Sequence, residues 1–370
     1  MATYIISDVK KAVFFEHTAL LLRQRGVELN FILINSKNTS LDFFLLKNNF
    51  EVNYIQVKSL TKSFIPILAL SKILAKRKTK IIHCHLGNAN WVGLWAGFLS
   101  GVKQRIFTRH AGEPLNYNLK EKIIDQIQNR LSTDIVSISL NITDILKSQG
   151  VPESKIKLIH HGFDIDRFQN VDEEEVDRIR AQYNPLNCYP VVGVIARWME
   201  WKGIQYIIPA FEKLLKDFPN AKLMLFNASD NGDYSSDLNE MLHKLPKDKY
   251  QKVSFEENIY DLYQLFDLYV HVPVNPQCEA FGQTYIEALA AGIPSIFTLS
   301  GIAREFITDK NAIIVPFRDQ SSIFEAMKFT LYHKEITKTK VIQGKQDVSV
   351  NFVLEKYIEK LMQLYILQNK

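Results

Sequence analysis

The sequence predicts an α/β protein built as two Rossmann-like domains with parallel sheets. Its 370 residues are too many for one ordinary core and suit two α/β domains of average size. Short β-branched runs are separated by amphipathic stretches of ten or more residues, the pattern of βαβ units. The alternation pauses once, between residues 169 and 190, and then resumes, which fits two successive sheets better than one large one. A content of 46% hydrophobic and 23% charged residues places the chain in the globular class.

In chain order, the first block offers strands at Tyr4–Ile6, Leu29–Ile34, Lys80–His83, Gln104–Phe107, Ile135–Ile138 and Ile156–Ile159. Helical periodicity marks Glu16–Arg25 and Asn141–Ser148. The apolar run Trp91–Val102 contains three glycines and is too short to cross a membrane, which takes roughly 18–20 residues; it reads as a buried helix. The acidic run Asp172–Glu175, followed by Pro185 and Pro190, reads as a helix and then a linker. The second block offers strand Val191–Ala196, helix Ile204–Phe218 and strands Ala221–Phe226 and Lys252–Phe255. Helix Asp261–Phe266, strand Leu268–Val272, helix Gln283–Ala291 and strand Ser295–Thr298 follow. A last helix, about 351–370, carries Phe352, Tyr357, Leu361, Leu364 and Tyr365 and is expected to pack back on the first domain. The expected domains are therefore 1–168 with that helix, and 186–350.

The net charge of +5 is unevenly divided, +10 over residues 1–170 and −5 over 171–370. That points the first half towards an anionic partner or surface. No basic-aromatic recognition module accompanies it, so nucleic acid is not an expected partner. Cys84, Cys188 and Cys278 are widely spaced, without a disulfide framework or a zinc signature. The chain runs straight into Tyr4-Ile5-Ile6 without a leader pattern, and the expectation is a cytoplasmic protein. Ser7-Asp8-Val9-Lys10-Lys11 after the first strand, and Arg197-Trp198-Met199-Glu200 after the first strand of the second block, replace any GxGxxG fingerprint. Nicotinamide and flavin chemistry is disfavoured on that ground, and no Walker A loop is present.

Three groups of residues carry chemistry. In Glu279-Ala-Phe281-Gly282-Gln283-Thr284-Tyr-Ile-Glu287 a loop ends in glycine and a helix begins. Its free N–H groups make an anion site, with Glu279 just ahead and Glu287 about a turn in, placed to accept hydrogen bonds from a vicinal diol. The competing reading is a surface acidic loop and a solvated carboxylate. In Arg197-Trp-Met-Glu-Trp-Lys202-Gly203 two cations flank a turn at a strand mouth, where they can stabilise a departing diphosphate without a metal. His83-x-His85-Leu-Gly87-Asn88 and Thr108-Arg-His110 follow consecutive strands, at the end where open α/β sheets bind ligands. No Cys, Asp or Glu completes a metal set with the histidines. A fourth segment, His161-Gly162-Phe163-Asp164, reads as structural: Gly162 for a positive-φ turn, Asp164 as a cap.

Taken together, Glu-x7-Glu with Phe-Gly inside and Glu-Ala-x-Ala-x-Gly-x-Pro after it, preceded by Arg-x4-Lys-Gly, closely resembles the retaining glycosyltransferases of family 4. The resemblance implies a GT-B fold, with two Rossmann-like domains facing each other across a cleft, the first taking the acceptor and the second the nucleotide-sugar donor. It implies that Glu279 contacts the transferred sugar near its reacting carbon, that Glu287 binds the donor ribose, and that Arg197 and Lys202 grip the diphosphate. The Phe281–Gly282 backbone meets the sugar hydroxyls, with Gln283 and Thr284 beside it. The resemblance further implies that His110 lies near the donor sugar's outer hydroxyl, and that Lys10, His85, Gly87 and Asn88 lie on the acceptor side. No cofactor or metal is implied; the co-substrate is a nucleoside diphosphate sugar of UDP or GDP type. The acceptor is a sugar, glycolipid or lipid-linked hydroxyl, in the synthesis of cell-surface polysaccharide, lipopolysaccharide or glycolipid. A sugar-nucleotide epimerase or phosphorylase on the same fold, and a non-catalytic binding homologue, are the alternatives.

The sequence departs from the family in three places: Asp8-Val9-Lys10-Lys11 and Asn227-Ala-Ser-Asp230-Asn-Gly232-Asp233 stand where glycine-rich loops are usual, and His161 replaces an asparagine. Asp230 and Asp233 read as turn residues. The segment Phe64–Lys78, apolar with a basic end, reads equally as a sheet-covering helix or as one lying on the anionic inner face of a membrane.

Overall fold

The computed structural model describes residues 2–59, 63–112, 118–229 and 232–366. The chain divides into two compact units, Met1–Phe163 with Leu354–Lys370, and Asp164–Val353. Asp230 lies outside the described residues.

The first unit holds seven strands: β1 (Ala2–Ser7), β2 (Leu29–Ile34), β3 (Glu51–Ile55), β4 (Ile81–His85), β5 (Gln104–Arg109), β6 (Asp134–Ser137) and β7 (Ile156–Leu158). They pair in parallel in the order β3-β2-β1-β4-β5-β6-β7. The central strands are buried on both faces, so they read as continuous apolar runs. Edge strand β3 escapes the sequence reading because its polar, partly exposed Glu-Val-Asn-Tyr-Ile lacks such a run. Helix Gly87–Leu99 lies tight on β4: a Cβ at Gly93 would sit 2.5 Å from Cys84 Sγ, and one at Gly97 would sit 2.4 Å from Ile82 Cδ1.

The last helix, Leu354–Ile366, belongs to this unit. Leu354, Tyr357, Ile358, Leu361, Leu364 and Tyr365 join the core of β1 and helix Val13–Gln24. Tyr365 Oη lies 2.7 Å from both Tyr4 Oη and His83 Nδ1. Gly162 does not have a positive φ, contrary to the turn expected there. Its missing side chain serves packing instead, since a Cβ would meet Leu354 Cα at 2.6 Å and Tyr357 Cβ at 2.8 Å.

The second unit holds six strands: β8 (Val191–Ile195), β9 (Lys222–Phe226), β10 (Tyr250–Val253), β11 (Leu268–His271), β12 (Ser295–Phe297) and β13 (Ile313–Ile314). The order is β10-β9-β8-β11-β12-β13, again parallel. This unit begins earlier than expected. The helix expected at the acidic run is Glu173–Tyr183, and it packs into this unit: Val176, Ile179 and Tyr183 are buried, and the Tyr183 ring stands edge-on to Phe226 at 5.4 Å. Phe168, expected in the first domain, packs on Tyr260 at 4.7 Å. The unit also ends later, because helix Lys334–Asn351 lies on helix Gln283–Ala290, where Gly344 approaches Leu289. The strand expected over Lys252–Phe255 starts two residues sooner, and Phe255 is exposed. The helix expected over Asp261–Phe266 is one turn, Ile259–Leu262, continued by 3-10 residues Tyr263–Leu265.

Leu361 is fully buried in the first unit's core. Leu361→Ala is expected to cost about 2–5 kcal/mol through lost contacts and a residual cavity. Urea unfolding followed by a probe in the first unit checks this; an unchanged midpoint would show that the last helix is dispensable to that unit.

Candidate functional site

In the second unit, the segment after β8 and the loop before helix Gln283–Ala290 bring opposite charges together. Gly203 ends the 3-10 turn Glu200–Lys202 at φ +78° and opens helix Ile204–Asp217. No other residue fits there, because a Cβ would stand 1.9 Å from the Val272 carbonyl oxygen. This close approach of backbone to β11 carries Lys202 to Glu279, Nζ to Oε1 at 2.5 Å, with side chains 13% and 7% exposed. His271, at the end of β11, places Nε2 3.1 Å from the same Oε1. The Glu279 amide donates to Ser300 Oγ at 3.1 Å, and the following Gly301 passes so close that a Cβ would meet Glu279 Cβ at 2.8 Å.

Burial alone would raise the Glu279 pKa, but the Lys202 ammonium and the His271 hydrogen bond overcome it and hold the carboxyl at about 2. Burial holds the His271 pKa below its ordinary value, against the pull of Glu279. A neutral His271 therefore keeps its proton on Nε2 and donates it to the carboxylate.

Helix Gln283–Ala290 starts at Gly282, φ +90°, where a Cβ would hit the Tyr285 ring at 2.6 Å. The Phe281 carbonyl accepts from Ile302 N–H at 2.8 Å, and the buried Phe281 ring faces inward. Gln283 is exposed, and Thr284 Oγ1 is buried beside the Tyr269 hydroxyl. Glu287 is half-buried and accepts from Tyr263 Oη at 2.9 Å. Removal from water pushes its carboxyl up to about 7, although the Tyr263 hydrogen bond opposes the shift. Arg197 is exposed at the mouth of β8. Sequence reasoning missed His271, Tyr263, Ser300 and Gly301. His271 alone was within reach, through its place at a strand's C-terminal end.

In the first unit, His85 Nδ1 lies 3.1 Å from His110 Nε2, and His110 stacks on His161 with ring centroids 5.4 Å apart at 11°. His85 is fully buried among Tyr4, Phe15 and His83, so it stands behind His110 and is not a surface group on the acceptor side. His83 is satisfied by Tyr365 Oη and by Thr108 Oγ1 at 2.8 Å. Lys10 and Gly87 are exposed, while Asn88 Nδ2 donates to Asp8 Oδ2 at 2.9 Å. Asp8, at φ +57°, also accepts from Asn35 Nδ2 at 3.0 Å, an arrangement a glycine could not supply. Asp164 accepts from the Arg167 amide at 3.3 Å and caps helix Ile165–Gln169. Among the described residues no group of three or more His, Cys, Asp or Glu could hold a metal ion.

Two parallel α/β units, one with a lysine-glutamate pair at a helix start, define the class of two-domain transferases with the GT-B fold. Residues 12–167 match glycosyltransferase family 4, and residues 175–346 match the glycosyl transferases group 1. The chain belongs to the glycosyltransferases of family 4. It is 25% identical over 272 residues to a mannosylfructose-phosphate synthase of Agrobacterium fabrum, covering 70% of this chain and 57% of that protein. It is 24% identical over 319 residues to the capsular polysaccharide biosynthesis glycosyltransferase CapM of Staphylococcus aureus, covering 81% and 80%. The chain thus spans little more than half of the first relative's length. Among solved structures, Anabaena HepE in complex with UDP and glucose superposes with a TM-score of 0.84 at 18% identity, covering 99% of this chain and all of that one. That likeness establishes the fold.

Burial pushes the imidazoles of His83 and His110 down to about 3 and about 4, and those of His85 and His161 well below their ordinary range. Unfolded histidines bind protons near pH 6.5, so the unfolded state takes up more protons as pH falls below that value. Stability of the first unit is therefore full above about pH 6.5 and is lost progressively between about 6.5 and 4. Urea midpoints measured from pH 7.5 to 4.5 should fall over that window; a flat profile would show the four rings to be solvated.

Proposed function

We propose that this chain is a retaining, metal-independent hexosyltransferase that moves a sugar from a nucleoside diphosphate sugar to a hydroxyl. The observation that carries the reading is the buried Lys202–Glu279–His271 cluster beside the start of helix Gln283–Ala290. A fully ionised carboxylate held this far from water orients a polyol through strong hydrogen bonds and favours positive charge at a carbon nearby. We assign Glu279 to the transferred sugar, close to its reacting carbon. We assign Lys202 and exposed Arg197 to the diphosphate, with the helix start adding a positive dipole end. Donor binding in this scheme shares Lys202 between Glu279 and phosphate, so the apo pair keeps each charge compensated until the diphosphate arrives. Glu287 takes the ribose diol. Gln283, Thr284 and the Phe281–Gly282 backbone border the sugar. On the first unit we assign neutral His110 to a sugar hydroxyl, and Lys10, Gly87 and Asn88 to the acceptor.

The scheme is front-face departure. The anomeric C–O bond to the diphosphate breaks, the acceptor oxygen bonds to the same face, and its proton passes to the leaving phosphate. Positioning and charge stabilisation then supply the rate without a side-chain nucleophile. Support for a UDP-type donor comes from HepE, whose structure holds UDP and glucose. We assign the acceptor to the saccharides and lipid-linked sugars of surface polysaccharide, lipopolysaccharide or glycolipid synthesis; support for the polysaccharide reading comes from CapM, a capsular polysaccharide biosynthesis glycosyltransferase.

A thermal-shift panel of UDP- and GDP-sugars identifies the donor, because a ligand that binds only the folded state raises its stability with concentration. With that donor, Lys202→Ala and Glu279→Gln are each expected to lower turnover on the order of hundredfold or more; both also lose stability by leaving a buried partner less compensated, so turnover is compared at a temperature where circular dichroism shows each variant folded. Near wild-type turnover in either variant removes the assignment.

Glu287 supplies a second test. A diol prefers the carboxylate as acceptor, and the free protein's carboxyl titrates at about 7. Donor affinity should therefore rise between pH 6 and 8, by up to about tenfold per unit on the acid side. Calorimetric titration across that range, with Glu287→Gln flattening the profile, checks it.

A further inference from the structure

We propose that His85 is a positioning residue: it donates its Nδ1–H to His110 Nε2, holds the proton of His110 on Nδ1, and so makes His110 a hydrogen-bond donor with no free basic nitrogen. The sheet puts the two rings together. Side chains two apart on a strand share a face, so His83 and His85 at the end of β4 point the same way, as do Thr108 on β5 and His110 just past it. The parallel register pairs His85 with Thr108, which brings His110, two residues on, beside His85. His85 Nδ1 then lies 3.1 Å from His110 Nε2. The stack of His110 on His161, at 5.4 Å and 11°, keeps the His110 ring from turning away.

Two ring nitrogens at that distance share one proton when both imidazoles are neutral, and burial keeps them neutral near pH 7. The shared proton has two places to sit. If it belongs to His110 Nε2, the proton of His85 is left on its own Nε2. That nitrogen is shut inside a fully buried ring among Tyr4, Phe15 and His83, with no hydrogen-bond partner among the described residues. If the shared proton belongs to His85 Nδ1, the buried Nε2 is only a bare lone pair. A buried N–H without an acceptor is the rarer and costlier defect, and the ring faces of Tyr4 and Phe15 are weak substitutes. The second arrangement is therefore favoured by roughly tenfold or more. His83 is under no such constraint, because its partners, Tyr365 Oη and Thr108 Oγ1, are hydroxyls that turn to suit either tautomer. The direction of the His85–His110 bond in turn decides which nitrogen of His110 carries hydrogen.

With Nε2 occupied and Nδ1 protonated, His110 binds an oxygen, offers nothing to an ammonium, and cannot take the proton of an attacking hydroxyl. That His110 meets a sugar hydroxyl rests on the transferase reading; where its proton sits does not. Nuclear magnetic resonance of the whole protein, isotopically labelled at its histidine nitrogens, tests the proton's place, the His110 signals being those lost in His110→Gln. The hydrogen-bonded proton should show its one-bond coupling to His85 Nδ1 and a coupling across the hydrogen bond to His110 Nε2, with His110 Nδ1 also protonated. One-bond coupling to His110 Nε2, or a proton on His85 Nε2, overturns the proposal. The positioning role is read by calorimetric titration with the nucleotide sugar that the UDP- and GDP-sugar panel selects. His85→Leu should weaken binding at least about tenfold, and His85→Asn, whose side-chain N–H replaces that of Nδ1, should restore it to within about threefold. Thermal unfolding should be lowered in both, so a merely structural role would not separate them. Equal affinities in the two variants overturn the positioning role. A proton where expected, together with wild-type donor affinity in His110→Gln, would keep the tautomer and remove the assignment of His110 to the sugar.

Discussion

An ionised carboxylate at 5% exposure has to be compensated on the spot, and in the second unit Glu279 is compensated twice. Desolvating such a group costs several kcal/mol even after relaxation, so Lys202 and His271 are conditions for the loop to exist at all. Those conditions propagate into the backbone. Lys202 reaches Glu279 because Gly203 lets its helix start press against β11, and the loop holding Glu279 can lie where it does because Gly301 leaves room beneath it. Two glycines at positive φ thus stand behind one ion pair, and neither tolerates a Cβ. A pair held this tightly also limits its own rearrangement, which suits a group that must present fixed charge at the moment of reaction.

The two glutamates eight residues apart show how one helix start creates two environments. Glu279, ahead of the helix, is surrounded by donors and stays charged far below neutrality. Glu287, a turn into the helix, has a phenol as its hydrogen-bonding neighbour and titrates close to neutrality. The same residue type is therefore a permanent anion at one position and a protonatable acceptor at the other. The difference follows from which neighbours the fold supplies, since both carboxyls are withdrawn from water.

Much of the architecture could be read from the chain. Fully buried parallel strands such as Phe31–Ile34 leave an unbroken apolar run, and the turn glycines Gly203 and Gly282 mark helix starts by their place after a strand or loop. Lys202 and Glu279 could be singled out too, because both sit in short motifs whose spacing survives without knowledge of contacts, and the structure brings the two together. What escaped was long-range. Lys202 meets Glu279 across 77 residues, with β8 paired beside β11, and Tyr263 meets Glu287 across 24; His271 returns to Glu279 through the fold of the loop that follows β11. His85 looked like a surface ligand because its motif sits at a strand end, yet the rings of Phe15 and Tyr4 close over it. The domain border slipped for a related reason: the acidic run Asp172–Glu175 reads as a helix, as it is, but nothing in the run says that the helix's apolar face joins the core of the second unit. Periodicity reports the face an element presents, and is silent on which neighbour receives it.

The first unit makes the complementary point about buried polarity. Its histidines are neutral, and they are arranged so that hydroxyls and rings, not charges, satisfy them: Tyr365 and Thr108 for His83, and His110 for His85. Tyr365 comes from the far end of the chain, so the polar network beneath the β4 and β5 strand ends is completed by the last helix to be made. An apolar core could have been closed by any residue of suitable volume, but a hydroxyl that must reach both Tyr4 and His83 fixes the register of that helix. The unit thus gains a single docking position for its final segment from a hydrogen-bond geometry, while the apolar stripe from Leu354 to Leu364 supplies the area that holds it there.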